Sequence, residues 1–153
     1  MSNEKEKDPS FLMYSKDWLE GTADLMPDEK GVYIDLLCHQ HQKGTIPADT
    51  NRLARLVGLP EDKFLVIWEH LKSKFSKVNS SRMANQKLTK VTTERVSFSL
   101  KKKIAGEFAY LLRQSSYSED LKYKIKKEFN MADFMGIEPE KVRDVLTGWL
   151  ARW

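Results

Sequence analysis

The sequence LMPDEKGVYIDLLCHQHQKGTIPADTNRLARLVGLPEDKFLVIWEHLKSKFSKVNSSRMANQKLTKV, residues 25–91, decides the fold. Near its start, Pro27, Asp28 and Glu29 are typical of a helix N-terminus, because proline fits the first turn and carboxylates favour the positive end of the helix dipole. Lys43 and Gly44 are typical of a helix C-terminus. A long amphipathic helix is therefore predicted between them, with an apolar face of Val32, Ile34, Leu36, Leu37 and Cys38 and with Tyr33 beside it.

Two shorter helices and a hairpin are predicted next. Asp49 and Thr50 form a good N-cap pair for a helix over 51–57 that ends at Gly58. Pro60 opens another helix, in which apolar residues recur on one face: Phe64, Ile67, Trp68 and Leu71. Alternating runs at 75–78 and 83–91 flank the polar turn 79–81, which is typical of a hairpin. The sequence thus predicts a mainly α protein with a small β-hairpin, a winged helix-turn-helix followed by a C-terminal helical segment.

Three regions are predicted along the chain. Residues 1–10 are polar and charged, so we expect a disordered tail and no signal peptide. Residues 11–91 form the winged helix-turn-helix domain, in which the apolar run 11–14 is interpreted as an edge strand pairing with the wing. Residues 92–153 form a helical region that begins with a connector at 92–99.

The helical region contains an internal echo of the first domain. Residues 51–71 and 130–150 each have a short apolar helix, a glycine, a proline and acidic helix start, and a final tryptophan and leucine. Two interpretations stay open: a second helix-turn-helix unit, or features that any helix-turn-helix shares.

Positive charge is concentrated in one part of the chain. Ten basic residues lie between residues 72 and 103 against one acid, Glu94, a net charge of +9; the whole chain carries +4, so the remainder carries −5. Such a local excess is typical of a surface that faces phosphates, although a solvated lysine face has the same composition.

Catalytic and metal-binding patterns are missing from the sequence. His39 and His41, two apart on a helix, point to different faces, and no zinc-type spacing, glycine-rich phosphate loop or nucleophile elbow is present. We therefore expect no enzyme, cofactor or metal site.

Cys38, the single cysteine, excludes an internal disulfide and is predicted to be buried, as expected of a cytoplasmic protein. No apolar run approaches the roughly 20 residues of a membrane helix.

DNA contact is predicted to rely on phosphates. The outward face of the helix after Pro60 lacks the arginine and asparagine that read base edges, and it carries acids. We expect weakly sequence-dependent, salt-sensitive binding to duplex or single-stranded DNA through basic residues. The predicted DNA-binding residues are Arg52, Arg55, Lys63, His70, Lys72, Lys74, Lys77, Arg82 and Lys87.

A docking role is the alternative. The acidic helix and the apolar C-terminal helices suit a protein partner such as a replicative helicase, a replication initiator or a second copy of the chain. Trp149 and Trp153 are interpreted either as a cap on the core or as anchors of such a contact. Trp18 and Tyr33 are predicted to pack on each other or in the core, and a ligand-stacking role is the alternative.

Four segments carry a resemblance to a known family: DWLEGT (17–22), LMPDEKGVYIDLL (25–37), GTIPAD (44–49) and LARLVG (53–58). Over about residues 11–90 the chain resembles the YdaU-like family, a domain of uncharacterised function found in prophage proteins. The resemblance implies a winged-helix domain at the N-terminus of a phage replication-initiation or helicase-loading protein. It transfers no catalytic residue, and the segment after Lys90 departs from the pattern.

Overall fold

The computed structural model describes residues 9–153, and it is mainly helical with a small three-stranded antiparallel sheet. The prediction of a mainly α protein with a hairpin and a C-terminal helical segment is confirmed. The described residues divide into two compact units, 9–93 and 94–153, and the division falls within one long helix. The predicted disordered tail, residues 1–10, lies outside the described residues except for Pro9 and Ser10.

Unit 1 combines helices with the sheet. Its elements are α1 (Ser15–Gly21), α2 (Pro27–Lys43), β1 (Ile46–Pro47), α3 (Thr50–Val57), α4 (Glu61–Leu71), a 3-10 turn (Lys72–Lys74), β2 (Ser76–Lys77), β3 (Arg82–Ala84) and the first turns of α5 (Gln86–Gln114). The strand order is β1-β3-β2, and all pairs are antiparallel. Ile46 lies opposite Met83, and Ser76 lies opposite Ala84. The strands are short, so helix packing provides most of the core.

The helix ends lie where the sequence signals predict them. The Asp49 side chain accepts a hydrogen bond of 2.8 Å from the Asn51 N–H at the start of α3. Gly58 ends α3 with a φ of 75°, in the left-handed region that a side chain would strain. At the start of α2, Glu29 Oε1 accepts a 3.2 Å hydrogen bond from the Met26 N–H. Local chemistry therefore sets the boundaries of α2 and α3.

The core of unit 1 is built by α2, α3 and α4. Leu36, Leu53, Phe64 and Leu71 are fully buried. Trp18 stacks on Tyr33 with ring centroids 5.3 Å apart, which confirms the predicted packing of these two side chains. This core holds α4 and the hairpin in fixed positions relative to α2.

Cys38 is exposed, so the prediction that it is buried was wrong. The buried apolar residues of α2 include Leu36 and Leu37. At about 100° per residue, Cys38 lies roughly 200° from Leu36 and therefore on the opposite side of the helix.

Two strand predictions were also wrong. The run 83–91 is a strand only to Ala84, because Asn85 ends it and caps α5 with its Oδ1, which accepts a 2.9 Å hydrogen bond from the Leu88 N–H. The predicted connector 92–99 belongs to α5 as well. Residues 11–14 form no strand; the strand beside the hairpin is β1, where Pro47 lies at a sheet edge that tolerates its missing N–H.

Unit 2 is helical. It contains the rest of α5, α6 (Glu119–Glu128), two 3-10 turns (Met131–Phe134 and Pro139–Lys141) and α7 (Val142–Leu150). Ile104, Ile125, Val142 and Leu146 are fully buried in its core. Trp149 packs its ring against that of Phe134, with centroids 5.8 Å apart. Of the two open interpretations, Trp149 belongs to the core, whereas Trp153 is 42% exposed. A second helix-turn-helix unit stays a prediction.

Over residues 9–153, no helix has the length and apolar character that spanning a membrane requires.

Candidate nucleic-acid interface

The outward side of α4 is acidic, as the sequence indicates. Val66 is 69% exposed at its middle, and Lys63 is exposed one turn earlier. The exposed acids of α4 are Glu61, Asp62 and Glu69. Carboxylates repel phosphate, so this face is a poor match for a nucleic-acid backbone.

His70, at the end of α4, is bound to α2. Its Nδ1 lies 2.6 Å from Oε2 of Glu29, a carboxylate whose side chain is only 7% exposed. The other oxygen of Glu29 caps the start of α2 through Met26. His70 therefore connects α4 to α2, and its Nδ1 is bound to Glu29.

Arg82 is half-buried and bound across the sheet. Its Nε donates to Thr45 Oγ1 at 2.9 Å and its Nη2 donates to the Thr45 carbonyl at 2.8 Å. Arg82 also lies opposite Pro47 in the β1–β3 pair. These contacts give Arg82 a structural role in the sheet.

Three of the predicted lysines make a single polar contact each, which is weaker than the paired hydrogen bonds of Arg82. They are Lys72 with Glu69 at 2.8 Å, Lys74 with the Gly21 carbonyl at 2.8 Å, and Lys87 with Asp17 at 3.2 Å. An ammonium group has three donors, so one bond leaves others for a phosphate. Exposed ion pairs contribute at most about 1 kcal/mol, so they exchange readily with solvent or ligand.

Four of the predicted DNA-binding cations have no polar partner among the described residues. Within residues 9–153, no ion pair or hydrogen bond involves the side chains of Arg52, Arg55, Lys63 and Lys77. Arg52 and Arg55 are exposed on α3. The start of α3 lies close to the hairpin turn, because the Ala48 N–H donates to the Ser81 carbonyl at 2.9 Å.

The hairpin and the start of α5 bring lysines together. Lys74 and Lys87 line one cavity. Lys77 and Lys90 line a groove between the hairpin and α5. Lys87 and Lys90 are three residues apart on α5, so their side chains are neighbours on one face of the helix. We call Lys74, Lys77, Lys87 and Lys90 the basic cluster.

Lys63 is not part of this cluster. It lines a separate groove of about 510 Å³ between the first half of α2 and the α3–α4 turn. Asp28 and Asp35 line the same groove, and its apolar walls include Val32 and Val66. The acids outnumber the lysine, so this groove does not attract phosphate.

The cavity that contains Lys74 and Lys87 lies at the base of the hairpin, and we call it the hairpin-base cavity. Its volume is about 280 Å³. Asn85 closes the base by donating from Nδ2 to the Lys74 carbonyl at 2.8 Å and to the Tyr33 hydroxyl at 3.1 Å. Burial raises the pKa of Tyr33 above its ordinary value, against a smaller lowering by the Asn85 hydrogen bond. The hydroxyl is therefore protonated and uncharged at neutral pH.

Sequence reasoning missed several residues of this region. Lys90 was counted in the basic run but not predicted as a site residue, because the helical spacing of 87 and 90 is hidden when 83–91 is interpreted as a strand. Tyr14 and Asn85 line the cavity but carry no motif. An asparagine three residues before Leu88 is the signal that identifies the start of α5.

Within the part of the chain that the structure describes, no three His, Cys, Asp or Glu side chains come together as metal ligands. The expectations of no catalytic activity and no cofactor stay predictions.

Comparison with known proteins identifies the family. A family model described as a protein of unknown function, DUF1376, matches residues 11–91, which is more than half of the chain. No curated protein and no solved structure matches.

Proposed function

We propose that this chain, which belongs to the DUF1376 family of proteins of unknown function, is a nucleic-acid-binding module that contacts DNA mainly through phosphates. The observation that carries the proposal is the basic cluster on the hairpin and the start of α5. A lysine-rich surface on a local segment of net charge +9 suits a polyanion.

We interpret unit 1 as a winged helix-turn-helix. The order α2, β1, α3, α4, β2, β3 and the antiparallel sheet β1-β3-β2 support this interpretation. In such a domain α4 is the recognition helix and the β2–β3 hairpin is the wing. The acidic face of α4 makes base reading in the major groove unfavourable here, so the wing carries the contact.

Binding of this kind is driven by the release of counterions from the phosphates. The slope of log affinity against log salt is about −0.7 to −0.9 per phosphate contacted, and sequence has little effect. The prophage and DNA-replication context rests on the resemblance of residues 17–22 and 25–37 to the YdaU-like family, and it belongs to the same proposal.

Fluorescence anisotropy with labelled single-stranded and duplex DNA at two salt concentrations tests the proposal. We expect binding at low salt, a steep loss at higher salt, and similar affinity for unrelated sequences. Failure to bind either form of DNA at low salt would refute the proposal.

One observation favours a second candidate, a docking module without DNA contact. The groove lined by Asp28, Asp35 and Val66 combines apolar walls with an acidic rim, which suits a basic amphipathic helix. The partners proposed for it are a replicative helicase, a replication initiator or a second copy of the chain. Val66→Asp should abolish docking and leave DNA binding intact, whereas reversal of the lysines should have the opposite effect.

A further inference from the structure

The hairpin-base cavity lies where β2 begins and β3 ends. Lys74 lies two residues before β2, and Asn85 follows β3 directly. The two residues are joined by the 2.8 Å hydrogen bond from Asn85 Nδ2 to the Lys74 carbonyl. Lys77 on β2 follows Lys74 by three residues, so their Cα atoms are at most about 11 Å apart.

Aromatic side chains form one wall of the cavity. Tyr14 is the N-cap residue of α1, its carbonyl accepts a 2.9 Å hydrogen bond from the Trp18 N–H, and both side chains line the cavity. Trp18 stacks on Tyr33 with an interplanar angle of 10°. Tyr14 is 56% exposed, and its side chain has no hydrogen bond or ring partner within residues 9–153. Exposed aromatic rings beside a cavity are suitable platforms for stacking.

The charge at the cavity favours an anionic ligand. Its charged lining residues are Lys74, Lys87 and Asp17, a net charge of +1. Lys74 Nζ lies 5.6 Å from the centroid of the Tyr33 ring, so the cation is held beside the aromatic wall. The Asp17 carboxylate is 45% exposed, and its ion pair with Lys87 is one that a phosphate can replace.

The size of the cavity limits what enters it. Small-molecule sites usually measure about 300–1,000 Å³, and this cavity of about 280 Å³ is slightly smaller than that range. One ring system fits such a space, while a sugar and a phosphate stay outside beside the lysines. The Tyr33 hydroxyl, uncharged at neutral pH, offers a polar contact to the edge of a ring.

We propose that the hairpin-base cavity binds one unpaired nucleobase of a single-stranded nucleic acid, stacked against Tyr14 and Trp18, with the flanking phosphates on Lys74 and Lys87. This inference rests on the proposed function and deepens it, because it adds base stacking to phosphate contact and favours single strands over duplexes. The cavity also has apolar lining residues, among them Leu12, Leu37 and Leu88, which suit the face of a base, while the two lysines suit its phosphates.

The test compares two probes of equal length and charge, a single-stranded thymidine oligonucleotide and an abasic strand with the same sugar–phosphate backbone. Each is titrated by anisotropy with the wild-type chain, with Tyr14→Ala and with Tyr123→Ala. Tyr123 is the matched control, since it is a tyrosine of 60% exposure on α6. Thermal unfolding verifies that each variant folds.

We expect the wild-type chain to bind the oligonucleotide roughly 5- to 100-fold more tightly than the abasic strand, the range expected for one stacked base. Tyr14→Ala should remove most of this preference, and Tyr123→Ala should keep it. Equal affinity of the wild-type chain for both probes would overturn the cavity proposal while phosphate binding stands. Binding of neither probe would refute both the cavity proposal and the proposed function. If Tyr14→Ala fails to fold, the wild-type preference alone decides.

Discussion

Gln40 and Asn85 are 45 residues apart in sequence, yet the side chain of Gln40 makes two hydrogen bonds with the backbone of Asn85. The Asn85 N–H donates to Gln40 Oε1 at 2.6 Å, and Gln40 Nε2 donates to the Asn85 carbonyl at 3.0 Å. Both side chains are buried, with 2% and 7% exposure. This contact fixes the start of α5, and with it Lys87 and Lys90, against α2.

Replacing Gln40 by alanine should destabilise the protein by about 1–3 kcal/mol, because the buried N–H of Asn85 loses its acceptor. The free energy of unfolding in urea, followed by circular dichroism, measures the change. Gln114→Ala is the matched control, since Gln114 is an exposed glutamine at the end of α5. An equal and small effect of both substitutions would show that the contact is unimportant for stability.

His70→Ala should lower stability and leave DNA binding unchanged. The substitution removes the hydrogen-bonding partner of the buried carboxylate of Glu29, and we expect a loss of about 1 kcal/mol. Chemical unfolding and anisotropy on the same preparation separate the two effects. Weaker DNA binding at unchanged stability would instead support the direct contact that the sequence predicts for His70.

The stability of unit 1 should depend on Tyr33 at alkaline pH. Burial raises the pKa of the folded-state hydroxyl above 10.0, so the folded state holds this proton more tightly than the unfolded state. The resulting stability is fully present below pH 10 and is lost as the pH rises through the folded-state pKa. Urea unfolding between pH 9 and 11 should show a steeper loss for the wild-type chain than for Tyr33→Phe. Parallel curves for the two proteins would contradict this assignment.

Cys38 should react with a thiol reagent in the folded protein. Its side chain is exposed on the outward side of α2, so reagent access does not require unfolding. The reaction rate in buffer and in concentrated urea, measured with a chromogenic disulfide, should differ little. A reaction that proceeds only in urea would restore the original prediction of a buried thiol.

The sequence predicts the parts of the fold that depend on local chemistry. The caps at Asp49 and Glu29 and the glycine at Gly58 act within a few residues, so α2 and α3 are found where expected. The segment 83–91 fails because its few apolar residues give conflicting signals. Met83 and Val91 have the even separation of one strand face, whereas Leu88 and Val91 have the i, i+3 spacing of a helix. The Asn85 side chain, which caps α5, and the distant contact of Asn85 with Gln40 decide for the helix.

Prediction of the site residues is also limited by contacts between residues that are distant in sequence. Counting charges locates the basic segment, but it does not separate lysines that face solvent from cations that hold the fold together. Arg82 and His70 are bound to Thr45 and Glu29, residues at least 37 positions away in sequence. Such long-range partners leave no local pattern. The packing of Trp18 on Tyr33 is predicted from the sequence, but the position of Tyr14 at the hairpin-base cavity is not.

The central claim is that lysines of the hairpin and α5 contact phosphates. The most direct measurement is the DNA affinity of Lys77→Glu/Lys87→Glu compared with Lys124→Glu/Lys126→Glu, a control with the same change in net charge on α6. Arg82 is left intact, because its bonds to Thr45 hold the sheet.

Anisotropy titrations at several salt concentrations give both the affinity and its salt dependence. We predict that Lys77→Glu/Lys87→Glu, the hairpin variant, lowers the DNA affinity at least about tenfold, whereas the control changes it little. The slope of log affinity against log salt should become shallower by about 1.4–1.8 in the hairpin variant, because two phosphate contacts are lost. Equal weakening by the two double variants, or no effect of the hairpin variant, would contradict the claim.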